Sequence, residues 1–134
     1  MRWPTSKGGD RWRRGLYTYW RRTAPFVAFK AFDAPSREVC QVQRERSNTP
    51  MQALVGLNDP TALAAADALA RRMSSLSGDL RAKLQFGFMA CTAREPSDRE
   101  LDSLRRAWES EPSERAWHRI AIVLLNLDET LSRG

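Results

Sequence analysis

Apolar residues recur at helical spacing through residues 49–131, while residues 1–48 show no sustained period. The clearest stripe is Trp117, Ile120, Ala121, Leu124 and Leu127, widened by Val123 and Leu131, and it predicts a helix starting near Ser113. Upstream, "PSDRELDSLRRAWES" supplies Ser97 and Glu100 as an S-x-x-E capping box ahead of Leu101, Leu104 and Trp108. "DLRAKLQFGFMACTA" puts Leu80, Leu84, Phe88 and Cys91 on one face. Gly87 in its middle weakens a helix by about 1 kcal/mol and suits close packing against a neighbour. Two further helix starts carry the same device. Asp59 caps and Pro60 opens an Ala-rich helix that should run to about Met73 and stop before "SSLSGD"; Thr49 caps and Pro50 opens a shorter one, with Gln52 at the capping-box position.

The first part reads differently. "LYTYW", Leu16 to Trp20, is aromatic and β-branched enough for a short strand, with helix as the runner-up. "TAPFVAFKAFDAPSRE" reads as a loop anchored by Phe26, Phe29 and Phe32, since Pro25 and Pro35 hold the residues before them extended. "EVCQVQR" fits a second short strand. The fold class expected is mainly α: about five helices with an extended or short β-stranded N-terminal arm. The whole of 1–134 reads as a single domain, with 1–48 as arm and loop and 49–134 as a helical bundle. Short links make the three C-terminal helices antiparallel neighbours, and no internal repeat is visible.

Composition narrows the function classes. With 42% hydrophobic and 28% charged residues, the 134-residue chain is of globular type. No apolar run approaches the ~18 residues needed to cross a bilayer, and the N-terminus shows no signal peptide. The net charge of +6 is localised: residues 1–22 hold seven basic residues against Asp10 alone, and the rest carries fifteen of each sign. Such an arm, interleaved with Trp3, Trp12, Tyr17, Tyr19 and Trp20, has the composition of a single-strand binder. Nucleic acid is nonetheless not favoured as a partner, because arginines flanking a buried aromatic strand account for the same pattern. Cys40 and Cys91 belong to no metal or haem motif and are readable either as a disulfide or as free thiols. His118 has no second ligand spaced to join it. No cofactor or metal is expected in this chain.

The densest chemistry lies in "FDAPSREVCQVQRERSNTPMQALVGLNDP". Asp33, Arg37, Glu38, Arg44, Glu45, Arg46 and Asn48 could converge on a polar pocket, with arginine forks for a carboxylate or phosphate and Asp33 and Glu38 as holders or an acid/base pair. The competing and favoured reading is that these groups pair with one another and satisfy irregular backbone.

"RRGLYTYWRRTAP", "FDAPSREVCQVQRERSNTPMQALVGLNDP", "AREPSDRELDSL" and "VLLNLDETL" together resemble the C-terminal portion of domain of unknown function 1553, a planctomycete-type domain. The likeness covers about residues 11–131, with "PFVAFKAF" standing where relatives are richer in proline. It implies an uncharacterised accessory or interaction module, the C-terminal piece of a longer exported protein, placed in the periplasm or at the cell surface. Its implied partners are the preceding region of the same protein and a cytochrome c-like domain, with haem c held only in that separate domain. The alternatives are part of a hydrolytic or redox-linked enzyme with a polar site around residues 33–48, or nucleic-acid binding by the basic arm.

Overall fold

Helix starts in the computed structural model follow the cap chemistry. The structure describes residues 6–21, 23–36, 38, 40, 42, 47, 49–110 and 114–131. Asp59 accepts from the Thr61 N–H (2.8 Å) and the Ala62 N–H (3.3 Å), with Pro60 as first residue, and opens a helix over Pro60–Ser75. Asp79 accepts from the Ala82 N–H at 2.8 Å and opens Leu80–Thr92. Ser97 and Glu100 close both bonds of the capping box and open Asp98–Glu109. Each cap satisfies backbone donors that the first helical turn leaves without a partner.

In chain order the helices are α1 (Val27–Ala31), α2 (Pro50–Asn58), α3 (Pro60–Ser75), α4 (Leu80–Thr92), α5 (Asp98–Glu109), α6 (Glu114–Leu125) and α7 (Asp128–Leu131), preceded by 3-10 turns at Gly8–Trp12 and Gly15–Tyr17. The mainly α class holds, and no strand occurs among the described residues. The strand expected at Leu16–Trp20 is instead a 3-10 turn, closed by Tyr17 N–H to Arg14 C=O (3.0 Å) and Thr18 N–H to Gly15 C=O (3.1 Å). A lone strand would leave its backbone groups without a ladder, whereas the turn satisfies part of them internally. The loop expected around Phe29 contains the single helical turn α1, which presents Phe29 to Trp20 in a stacked pair (5.4 Å, 13°) and to Phe26 edge-on (5.7 Å). The second expected strand falls mostly on residues outside those described.

By their internal contacts the residues group into two units, Met1–Val55 and Gly56–Gly134. In the second, α3 packs chiefly on α6, and α4, α5 and α6 pack on one another in turn. Ala66, Leu69, Ala70 and Met73 of α3 meet Leu84 and Phe88 of α4, Leu101 and Leu104 of α5, and Ile120, Ala121 and Leu124 of α6 in one buried cluster. Val123 and Leu131, expected to widen the last stripe, are exposed. The helix breaks at Asn126, whose Nδ2–H donates back to Ile122 C=O (2.9 Å), and the Thr130 hydroxyl takes Leu124 C=O (2.8 Å). The break turns Leu131 away from the periodicity that α6 would have imposed.

Gly87 is the closest approach in this core. A Cβ there would stand 2.6 Å from the sulfur and methyl of Met73 and 3.1 Å from a Leu124 methyl, both residues being fully buried. At the other end of the unit, a Cβ on Gly56 would overlap the Asn126 carboxamide, so the end of α2 and the end of α6 meet through bare backbone. Gly87→Ala should therefore destabilise the chain by about 1 kcal/mol or more, the overpacking outweighing the helix-propensity gain. Met73→Ala in the same background should cost less than it does in the wild type. Denaturant unfolding of the four chains of this double-mutant cycle is the check.

Candidate functional site

Asp33 stands just past α1 with φ 54°, a left-handed conformation that aspartate tolerates better than most residues. Its Oδ2 accepts from the Ser47 N–H (2.9 Å), the Ser47 hydroxyl (2.6 Å) and the Gln52 side-chain amide (3.1 Å). Gln52, 4% exposed, also donates to Ser47 Oγ (3.1 Å) and accepts the Thr49 N–H on Oε1 (3.3 Å), while its own N–H donates to Thr49 Oγ1 (3.3 Å). One side chain thus completes the cap of α2 and ties the turn after α1 to the segment before α2. Buried amides are stable only when their donors and acceptors are used, and Gln52 uses both ends.

Glu38 is exposed, and its backbone N–H donates to Ser36 Oγ (3.3 Å). Asp33 and Glu38 share no bond among the described residues. Arg37, Arg44, Glu45, Arg46 and Asn48 lie outside the described residues. Of the predicted site, then, the structure joins Asp33 to two groups the sequence reading had not assigned to it. Ser47 had gone unnoticed; Gln52 had been explained by capping alone, and its full role depends on a contact nineteen residues away.

A second polar cluster was also missed. Ala93 ends α4 in the left-handed region (φ 61°), and the turn delivers Arg94 to two carboxylates. Its guanidinium donates to both oxygens of Glu100 (2.7 and 3.1 Å) and both of Glu129 (2.8 Å each), and lies 4.8 Å from the Phe88 ring centroid. Bidentate pairing of this kind fixes geometry as well as charge. It joins the end of α4, the start of α5 and α7. The bond to Arg94 first, and then those to Ser97, hold the Glu100 carboxyl at about 2 against an ordinary 4.5; Arg94 also lowers Glu129 and is itself raised.

His118 Nδ1 lies 2.7 Å from Asp67 Oδ1, within ion-pair reach but off the line of a hydrogen bond. Cys40 and Cys91 are free thiols, and burial pushes the Cys91 thiol up. Among the described residues no group of three His, Cys, Asp or Glu side chains is placed to hold a metal ion, and no helix is long and apolar enough to cross a membrane.

Two outcomes follow from these clusters. Gln52→Ala should lower stability by about 1–3 kcal/mol, since it strips two donors and one acceptor from a buried network; faster amide exchange at Thr49 and in the first turn of α2 is the readout. Because the Glu100 carboxyl is depressed when folded, its stabilising contribution is complete above about 4.5 and is lost as the pH falls towards about 2. Melting temperature should drop through that window, and Arg94→Gln should flatten the drop. The effect is modest, because the pair is partly exposed and screened by solvent.

Compared with protein families, residues 1–108 match PSD1, described as a protein of unknown function (DUF1553). The match takes in the first three blocks on which the resemblance rests, and "VLLNLDETL" at 123–131 lies beyond it. No curated protein and no solved structure matches the chain. With four-fifths of its length inside that match, the chain belongs to the DUF1553 family.

Proposed function

We propose that this chain is an accessory interaction module. In this reading it is the C-terminal portion of a longer exported protein, works in the periplasm or at the cell surface, and packs on the preceding region of the same polypeptide. There it helps to position a redox or substrate-binding partner such as a cytochrome c-like domain. The observation that supports the reading is the engagement of Asp33. Its Oδ2 receives three hydrogen bonds that hold two chain segments together, which gives this carboxylate a structural task. Met51 and Leu57 add to it: both stay exposed on α2, where a packing partner would cover apolar surface.

Thermal unfolding of the chain beside a longer product of the same gene region tests the proposal. The expected outcome is a higher melting temperature in the longer product, with Met51 protected there from oxidation. An intact protein that loses a hydrolytic or redox activity on substitution of Arg37 and Arg44, with folding unchanged, would instead assign residues 33–48 to a catalytic site.

A further inference from the structure

Burial of the aromatic arm would have disposed of its charge pattern as packing, and the structure leaves it unburied. Trp12, Tyr17 and Tyr19 are 54%, 63% and 73% exposed, whereas Trp20 is the ring that packs inward, on Phe29. Each exposed ring has a guanidinium beside it: Arg11 is 5.6 Å from the Trp12 centroid, Arg14 5.9 Å from Tyr17, and Arg21 5.9 Å from Tyr19. The arm's acidic residue, Asp10, pairs with Arg13 at 2.9 Å, so it does not neutralise Arg11 or Arg14. The result is a run of alternating planar faces and fixed positive charges.

A partner for this surface must present a negative charge near each arginine and a flat face near each ring. A protein surface meets that demand only if it is uniformly acidic. A single-stranded nucleic acid meets it with every nucleotide, phosphate and base together. Duplex is the poorer fit, because its bases are stacked on one another and offer no free face to the rings. We propose that residues 11–21 form a docking surface for single-stranded nucleic acid, with Trp12, Tyr17 and Tyr19 stacking on bases and Arg11 and Arg14 contacting phosphates. This goes beyond the module's packing role and stands or falls separately from it.

The test is fluorescence anisotropy of a labelled oligothymidylate titrated with the 134-residue chain across a salt series. Two phosphate contacts give a slope of about −1.4 in log affinity against log salt, which is about a 7-fold loss between roughly 50 and 200 mM. Trp12→Ala and Tyr19→Ala should each weaken binding by about tenfold, and Trp12→Tyr should restore most of it, because stacking needs a ring. Both positions are exposed, and an unchanged helical circular dichroism spectrum confirms that folding is intact. The absence of binding at low salt overturns the proposal, as does affinity that ignores the aromatic substitutions. Dextran sulfate bound as tightly and not displaced by the oligonucleotide also overturns it, and assigns the surface to an anionic polysaccharide.

Discussion

At Gly87 the backbone of α4 is bare where it meets the Met73 thioether of α3 and a Leu124 methyl of α6, and the rest of the helical unit takes its spacing from that contact. Protein interiors tolerate neither voids nor overlap, so the distance at which three helices meet is set by their smallest shared side chain. With α4 seated this closely, Leu84 and Phe88 on either side of Gly87 enter the same cluster as Ile120 and Leu124. Ala93 turns in the left-handed region, and Arg94 emerges over the Phe88 ring, within reach of both Glu100 and Glu129. The ion cluster follows from the packing and does not create it: it is partly exposed, and exposed pairs contribute little by themselves.

The first unit is held by different means. Among its described residues Trp20, Phe26 and Phe29 pack ring to ring, and hydrogen bonds converge on Asp33 and Gln52. A residue at φ 54° costs backbone energy that nearby contacts must offset, and the three bonds to Oδ2 are the offset visible here. A carboxylate that the sequence offered as chemistry is thus engaged in structure through its Oδ2.

What was legible in the sequence is what depends on neighbours in the sequence. Thr49, Asp59 and Ser97 act within three residues, so the starts of α2, α3 and α5 could be read directly, as could the stripe of Leu101 and Leu104. The misreadings are of features that depend on distant partners. "LYTYW" has strand composition, but composition provides no second strand. Leu131 continues the α6 period on paper, yet Asn126 folds its side chain back and ends the helix first. The role of Arg94 could not be read locally, because Glu129 is thirty-five residues away. The bonds of Asp33 were not legible, because Ser47 and Gln52 reach it over fourteen and nineteen residues.

Charge separates the two parts more sharply than secondary structure does. In the helical unit three guanidiniums have carboxylates close by: Arg81 with Asp98, Arg94 with Glu100 and Glu129, and Arg105 with Asp102 and Glu109. Residues beyond 22 balance fifteen positive against fifteen negative charges, so they sum to no long-range field. The arm has the opposite construction, seven basic residues to one acidic, with aromatic rings as the neighbours of Arg11 and Arg14. A field from such a segment reaches about 8 Å at physiological ionic strength and weakens with added salt, whereas burial of apolar surface does not. Added salt should therefore weaken the arm's attraction for an anion more than it weakens apolar contacts made by the helical unit.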